Sequence, residues 1–400
     1  MNPGARTSSR SLAGATILQV VPALHDDPGG RAAVDIALML LQSGARALVA
    51  CGEGTLVRHL CAFGGEWVPM INDTVNLLRI RQNARKLANL ISGERIDIVH
   101  AQSAGGAWSA LAATNRMPVF LVTSFADRLP RYSWGGAWFR RSLVRGDRVI
   151  VPSSHISRVV IERYKLTADR ITIIPRAIDI AAFDPASISG DRINSLRHNW
   201  AVTPDMRVVL VPSRLAPWNG QLSVIDAARV LVEGGDRNIV FVFAGDDRSE
   251  PRYVRALRRQ ARMHAIDSLC RFVGHCADMP AAFALADVVV VPALEPPLSG
   301  RTVAEAQASG RPVVTTSVGM LPENVLAPPR MRDELRTGWL VQPANVGEIA
   351  RAVSAALALD VTAYQALAAR ARQFAEFAFS TQSVADAVRG VYTSLLIRDG

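Results

Sequence analysis

Residues 288–325 read VVVVPALEPPLSGRTVAEAQASGRPVVTTSVGMLPENV, and this stretch decides the fold class. Val288–Val291 is a continuous β-branched run, which is typical of a strand buried on both faces. After a loop rich in Pro and Gly, Arg301–Ser309 has the composition of a helix, and a second β-branched run, Val313–Thr316, follows it. Strand, helix and parallel strand form a βαβ unit, so this stretch predicts a doubly wound α/β sheet.

The start of the predicted helix is a candidate phosphate site. The backbone amides of Arg301, Thr302 and Val303 have no acceptor within the helix, and the helix dipole favours an anion there. Glu305 lies about one turn further on, within reach of a second group of the same ligand, such as a ribose. Most βαβ units bind nothing, so the spacing alone is also compatible with a purely structural role.

Length and composition describe a globular chain. Its 400 residues, with 49% hydrophobic and 20% charged, predict two or three domains with cores of their own. The apolar runs are about 4–8 residues long, which is too short to span a membrane. Residues 1–14 are predicted to be a flexible tail and not a signal peptide. The four cysteines have no CxxC spacing, which disfavours a zinc site and favours a cytoplasmic protein with free thiols.

The formal net charge of +10 calls for an anionic partner or another explanation. Nucleic acid is disfavoured because no stacking or helix-turn-helix pattern accompanies the charge. The segment Arg128–Arg148 contains six Arg interleaved with Tyr132, Trp134, Trp138 and Phe139. It fits an anionic membrane surface, with aromatic rings at the interface and Arg on phosphate. A solvated basic face with its aromatic rings in the core is the alternative.

Alternation of strands and helices begins at the predicted strand Ala15–Val21. The predicted helix Arg31–Gln42 follows, and Gly29 and Gly30 come directly before it. No G-x-G-x-x-G motif occurs here, which disfavours a dinucleotide-dependent dehydrogenase. The two glycines allow close approach to a phosphate or sugar, although a simple turn also needs glycines. His100 ends a later predicted strand, where it either touches a ligand or is a packed, hydrogen-bonded residue.

The pattern stops and restarts in the middle of the chain. Residues 187–190 are rich in Ser and Gly and look like a linker, and strand and helix patterns resume at Val208–Val211. We therefore predict one domain over residues 15–190, a second over 191–379, and a final helix over 380–400.

Several motifs resemble those of one enzyme family. Gly300-Arg301-x-x-x-Glu305-Ala-Gln-Ala resembles the donor-site motif of family-four retaining glycosyltransferases, and the segments 272–276 and 337–341 match the same family. The resemblance implies a GT-B fold, in which two Rossmann-like doubly wound domains face each other across a cleft. The N-terminal domain would bind the acceptor and the C-terminal domain a nucleotide-diphosphate sugar such as a UDP or GDP sugar. The last helix would return to the N-terminal domain.

The resemblance also implies roles for individual residues. Arg214 would grip the diphosphate, and Asn219 stands where the family has Lys. Glu305 would hold the ribose hydroxyls, and Glu323 would lie near the donor sugar. Gly274 and His275 resemble the loop that contacts the base. No metal or other cofactor is expected, because basic side chains and helix dipoles stabilise the leaving diphosphate in such enzymes.

Two further positions depart from the family pattern. The first glutamate of the family's E-x7-E spacing is replaced by Pro297, and the nearest carboxylate is Glu295. A family histidine in the loop after the fifth strand is replaced by Ala126, beside the ionisable Asp127. Glu295 and Asp127 are therefore the candidate catalytic carboxylates.

We predict a retaining glycosyltransferase that acts on a cell-surface glycan or glycolipid, as in lipopolysaccharide or exopolysaccharide biosynthesis. It would be cytoplasmic and peripheral on the inner face of the membrane, and its partners would be the donor and a glycan or lipid-linked acceptor. The alternative is a catalytically degenerate GT-B protein that binds a nucleotide sugar and assists an active transferase. A GT-B phosphorylase is disfavoured because it needs a cofactor lysine, and Lys86 and Lys165 lie outside the late cleft loops.

Overall fold

A computed structural model describes residues 12–72, 74–125, 139–236, 238–297 and 299–397. The chain divides into two compact units, the described parts of Met1–Ala177 with Thr381–Gly400, and Ile178–Ser380. Each unit is a parallel sheet with helices packed on both faces, which confirms the predicted two-domain α/β architecture.

The first unit contains a parallel sheet of seven strands among its described residues. The strands are β1 (Thr16–Ala23), β2 (Arg46–Gly52), β3 (Glu66–Pro69), β4 (Ile98–Ala101), β5 (Phe120–Ser124), β6 (Arg148–Val151) and β7 (Ile171–Ile173). The helices are α1 (Pro28–Gln42), α2 (Val57–Ala62), α3 (Leu77–Gly93), α4 (Ala104–Thr114) and α5 (Ser154–Tyr164). The strand order is β3-β2-β1-β4-β5-β6-β7, so the order reverses at β1, as in a doubly wound sheet.

The second unit has a parallel sheet of six strands among its described residues. The strands are β8 (Arg207–Val211), β9 (Ile239–Ala244), β10 (Cys270–Gly274), β11 (Val288–Val291), β12 (Val313–Thr316) and β13 (Gly338–Val341), in the order β10-β9-β8-β11-β12-β13. The helices are α6 (Gly190–Asn199), α7 (Gln221–Glu233), α8 (Pro251–Met263), α9 (Met279–Leu285), α10 (Arg301–Ala308), α11 (Val346–Leu357) and α12 (Val361–Phe379). The final helix of the chain, α13 (Thr381–Leu396), packs on α1 in the first unit.

Alternating residues of each strand bury opposite faces of the first sheet. Ile17 and Val49 belong to the cluster that includes α1 and α13, whereas Leu18 and Leu48 belong to the cluster on the other face. Because successive strand residues point to opposite faces, both faces must be apolar when helices cover both. This explains why the strands are continuous apolar runs in the sequence.

The structure places the boundary between the units before Ile178 and not at residue 190. Ile178 donates a backbone hydrogen bond to the carbonyl of Phe379 at 2.8 Å, and the Phe183 ring packs 5.7 Å from that of Phe283. Residues 178–190 therefore belong to the second unit. The Ser- and Gly-rich composition at 187–190 reflects a short turn before α6 and not an interdomain linker.

Gly29 and Gly30 lie in the first turn of α1, whereas we expected them in a loop before the helix. The Asp27 side chain accepts from the Gly30 amide at 2.8 Å and starts the helix earlier than predicted. A Cβ on Gly30 would lie 2.1 Å from the His25 carbonyl oxygen. The chain's own packing thus requires glycine at this position.

Helices long and apolar enough to span a bilayer on their own do not occur among the described residues. The helices α11 and α12 reach that length and apolar content only as a pair, and the chain bends by 109° between them.

Candidate functional site

A cavity of about 180 Å³ lies in the second unit at the carboxyl ends of β8 and β11. This is the edge of a parallel sheet where ligands of doubly wound folds bind. Its walls come from the loop after β8, the loop after β11 and the start of α10, and they include Arg214, Asn219, Pro297, Gly300, Thr302 and Val303. The cavity therefore brings together most of the residues predicted to hold a diphosphate.

Close backbone contacts join the two loops that form the cavity. Gly220 has φ +72°, and a Cβ there would lie 2.0 Å from the carbonyl oxygen of Pro292. The Trp218 carbonyl accepts from the Leu294 amide at 2.9 Å. The loop after β8 is thus fixed against the loop after β11, and these backbone contacts hold the cavity walls together.

Side-chain amides hold the backbone at Arg214. Asn219 Nδ2 and Gln221 Nε2 both donate to the Arg214 carbonyl oxygen, each at 2.8 Å. Gln221 is fully buried and also donates to Ser213 Oγ at 2.9 Å, while its Oε1 accepts from Tyr253 Oη at 3.2 Å. Asn219 therefore supports the backbone that carries the exposed Arg214 side chain, and it adds no charge to the cavity.

The helix α10 begins at Arg301, as predicted, and its first turn lies beside the cavity. Gly300 precedes it, and a Cβ on Gly300 would lie 2.2 Å from Asn324 Nδ2. The space that a Cβ would need is occupied by the buried Asn324 side chain, which donates to the Gly300 carbonyl at 3.1 Å. Thr302 and Val303 of the first helical turn line the cavity, so the positive end of the helix faces it.

Glu305 lies one turn into α10 and is 8% exposed. Burial raises the pKa of its carboxyl group, while the guanidinium of Arg301, whose Nε donates to Glu305 Oε1, opposes that rise. Arg301 thus orients the carboxylate and favours its charged form.

Two other predicted carboxylates, Glu295 and Glu323, lie in the segments that follow β11 and β12. Pro297 contributes to the cavity wall, whereas the Glu295 side chain is exposed in the loop after β11. Glu323 ends the 3₁₀ turn Leu321–Glu323 and is half-buried, and Leu321 of the same turn lines the cavity.

The loop proposed to contact a base follows β10. Gly274 has φ +69°, and its carbonyl accepts from the Gly245 amide at 2.8 Å. A Cβ on Gly245 would lie 2.0 Å from the carbonyl oxygen of Ser213, next to the cavity. His275 follows Gly274 and is exposed. The three neighbouring strands β10, β9 and β8 thus end in loops that are packed against one another.

In the first unit, His100 is a packed core residue. It is 1% exposed, and its Nδ1 and Nε2 lie 2.7 Å from Tyr392 Oη and 2.6 Å from Ser124 Oγ. Burial lowers its pKa to about 3, so the ring is neutral. The alternative role as a ligand-contacting residue at the strand end is not what this geometry favours.

Part of the predicted basic segment Arg128–Arg148, and the predicted positions in the loop after β5, lie outside the described residues. Ala126, Asp127 and the segment 128–138 belong to that part of the chain. Of the remainder, Arg141 and Arg145 are exposed, and Arg148 Nη1 donates to the Asp169 carbonyl at 2.7 Å. Within the described ranges, no group of three His, Cys, Asp or Glu side chains is arranged to hold a metal ion.

Comparison with known proteins adds to this geometry. The family model "Glycosyl transferases group 1" matches residues 206–358, and the model "Glycosyltransferase Family 4" matches residues 29–182. A D-inositol 3-phosphate glycosyltransferase of Geodermatophilus obscurus is 29% identical over 258 residues, which cover 63% of this chain and 53% of the relative. The chain thus spans about half the length of the curated relatives it matches.

Solved structures share the fold. A glycosyltransferase from Rickettsia africae is 23% identical with a TM-score of 0.80, over 96% of this chain and 100% of the other. Anabaena HepE in complex with UDP is 22% identical with a TM-score of 0.73, over 95% of this chain and 100% of the other. The two family models together match most of the chain, and both neighbours have the same two-unit α/β architecture. The chain therefore belongs to the group 1 glycosyltransferases and has the GT-B fold.

Proposed function

We propose that this protein transfers a sugar from a nucleotide-diphosphate sugar to a glycan or glycolipid acceptor, with retention of anomeric configuration. The observation that carries the proposal is the cavity that places Arg214 beside the N-terminus of α10. A guanidinium can bind two phosphate oxygens, and the free amides at a helix start bind a third. Such a site stabilises a diphosphate both when it is bound and when it leaves.

The buried Glu305 supplies the second anchor of the donor. Its carboxylate accepts from hydroxyl groups, so it would hold the ribose one helical turn from the diphosphate. HepE binds UDP, and it has also been crystallised with UDP-glucose. We therefore expect a uridine diphosphate sugar as the first donor to test, with Gly274 and His275 beside the base.

Retention requires the acceptor to attack the face that the diphosphate leaves, through an oxocarbenium-like centre that needs nearby negative charge. Glu295 and Asp127 are the carboxylates proposed for this task. The leaving diphosphate would be stabilised by Arg214, Arg301 and the helix dipole, so no metal is needed in this scheme. Acceptors are proposed to be lipopolysaccharide or exopolysaccharide precursors, met at the cytoplasmic face of the membrane.

The test is titration with a panel of nucleotide-diphosphate sugars, following thermal stability and release of free nucleotide together. We expect one donor to stabilise the second unit and to release nucleotide slowly. Arg214→Ala should abolish both effects, whereas Arg255→Ala, which removes an exposed charge from α8, should leave both unchanged. No stabilisation by any nucleotide would refute the proposal.

A second candidate is a nucleotide-sugar-binding protein without transfer activity, which assists an active transferase. Two observations favour it. The Asn219 amide donates to the Arg214 carbonyl oxygen, and Pro297 lines the cavity at the position where the family has a carboxylate. Stabilisation without nucleotide release, even with lipid-linked acceptors present, would support it. If the double variant Asn219→Lys and Pro297→Glu releases nucleotide faster than the wild type, the wild-type protein has lost transfer activity that these residues support. If release does not increase, the protein uses different chemistry.

A further inference from the structure

Four large apolar side chains stand exposed within eight residues of the first unit. Ile71, Val75, Leu77 and Leu78 are 56%, 78%, 66% and 74% exposed. They occupy the connection from β3 to α3 and the first turn of that helix. The remaining apolar face of α3 is packed into the core, with Ile80, Leu87 and Ile91 buried. Clustered exposed apolar side chains of this kind commonly mark an interaction surface.

The backbone that carries these side chains is firmly anchored. Asn72 is fully buried, and its Nδ2 donates to the carbonyl oxygens of Ala50 at 2.7 Å and Val21 at 3.2 Å. Asn83 Nδ2 donates to the Ile71 carbonyl at 2.8 Å. These buried amides fix the connection on the sheet, so the exposure of its apolar side chains is a built feature of the fold.

The same holds for the first turn of the helix. Asn76 Oδ1 accepts from the amides of Leu78 at 2.9 Å and Arg79 at 3.2 Å, which caps α3. The cap fixes the direction in which Leu77 and Leu78 leave the backbone. Both side chains are thus presented outward at the helix start.

Cations continue this surface along the helix. Arg79, Arg81, Arg85 and Lys86 are exposed, and residues 74–93 contain no acidic residue. Asp73, directly before them, lies outside the described residues. Arg81 follows Leu77 by four residues and Leu78 by three, and Arg85 follows Arg81 by four, so these side chains share one side of the helix.

We infer that this apolar–basic surface, made of Ile71, Val75, Leu77, Leu78, Arg81 and Arg85, docks the protein on an anionic lipid bilayer. Aliphatic side chains would enter the boundary between headgroups and acyl chains, while the guanidinium groups meet lipid phosphates. Charge complementarity selects this occupant. A symmetric pair of copies would bring the same cations face to face, and nucleic acid offers no apolar layer for four aliphatic side chains.

The apolar–basic surface differs from the segment Arg128–Arg148 that the sequence indicated, and it does not depend on the transfer reaction. Arg214→Ala should lose nucleotide binding and still bind vesicles as the wild type does. Failure of the docking proposal and failure of the proposed function are therefore distinguishable.

The experiment measures co-sedimentation of the full chain with vesicles of equal parts phosphatidylglycerol and phosphatidylcholine, and with phosphatidylcholine alone. We expect binding to the anionic vesicles that weakens as salt rises from about 50 to about 300 mM. Leu77→Ser combined with Leu78→Ser, and Arg81→Gln combined with Arg85→Gln, should each weaken binding about tenfold or more. Arg255→Gln combined with Arg259→Gln removes the same charge from exposed positions of α8 and should change binding less than about twofold.

Insertion has its own readout. In Leu78→Trp, the added tryptophan emission, measured as the difference from the wild type, should shift to the blue on anionic vesicles. An unshifted emission on bound vesicles, or equal losses in the α3 and α8 charge variants, would overturn the proposal. So would a concentration-dependent dimer, detected by light scattering, that disappears in the Leu77→Ser and Leu78→Ser variant, because it would assign the surface to a second copy.

Discussion

Acid should destabilise the first unit, because folding buries His100 in its neutral form. The ring lies between Tyr392 Oη and Ser124 Oγ, and burial lowers its pKa from 6.5 to about 3. In the unfolded chain the same imidazole returns to its ordinary pKa. Between about pH 6.5 and pH 3 the unfolded state therefore binds one proton more than the native state, so stability falls as the pH falls.

The size of this effect follows from the two pKa values. Each pH unit below the unfolded pKa costs about 1.4 kcal/mol once the unfolded imidazole is fully protonated. Between pH 7.5 and pH 5 the free energy of unfolding of the first unit should drop by about 2 kcal/mol from His100 alone. A loss of that size is a substantial part of the stability of an ordinary domain.

The assay compares urea unfolding of the wild type and of His100→Gln between pH 5 and pH 7.5. The variant should be less stable than the wild type at pH 7.5, because glutamine fits the two hydroxyl partners imperfectly. The gap between the two proteins should shrink by about 2 kcal/mol at pH 5, since glutamine does not titrate. His59→Gln, at an exposed position of the same unit, should keep the wild-type dependence. A gap that stays constant with pH would refute the reasoning.

Two further predictions concern the second unit. Gly220→Ala should lower its free energy of unfolding by about 3 kcal/mol or more, because the new Cβ would clash with the Pro292 carbonyl and because alanine disfavours the left-handed backbone conformation at this position. Gly235→Ala, with φ +105° and open space around it, should cost only about 1–2 kcal/mol by the same urea assay. Arg301→Leu removes the group that opposes the raised pKa of Glu305, so the carboxylate should become protonated at a higher pH than in the wild type. The affinity for nucleotide, measured by calorimetry, should therefore fall at a higher pH as the solution is acidified. An unchanged pH profile would contradict the role given to Arg301.

The sequence predicted the elements well where periodicity was strong and local. The strands Val288–Val291 and Val313–Thr316 have the predicted bounds, because each is a short continuous β-branched run. The helix α2 was missed, since it is one and a half turns long with no capping side chain and buries only Leu60. The helix α1 begins three residues before the predicted Arg31, because Asp27 caps a helix that contains Gly29 and Gly30, although glycines favour loops.

Contacts between distant parts of the chain were beyond sequence reasoning. Gln221 supports Arg214 from a helix whose apolar pattern gave no reason to single out its first residue. His100 meets Tyr392 across 292 positions of sequence. The same limit hid the apolar–basic surface, because the pattern of α3 alone does not tell which leucines the core leaves outside. In each case the deciding quantity is burial, which depends on the assembled unit.

Asn219 and Pro297, two of the positions that depart from the family pattern, lie in the wall of the cavity, whereas the contacts of Glu305 and Gly300 are made by other residues. In the proposed function, the nucleoside anchor depends on Arg301, which orients the buried Glu305, and on Asn324, which fixes Gly300 at the start of α10. These contacts do not involve Asn219 or Pro297, so exchanging either residue leaves the anchor intact. Asn219, which stands where the family has Lys, donates to the Arg214 carbonyl oxygen. Gln221 already donates to the same oxygen, so Asn219 adds a second hydrogen bond and no charge. Under the proposed function we therefore expect nucleotide binding to survive while the stabilisation of a leaving diphosphate weakens, because the first needs the start of α10 and the second needs the positive charge that Asn219 does not supply.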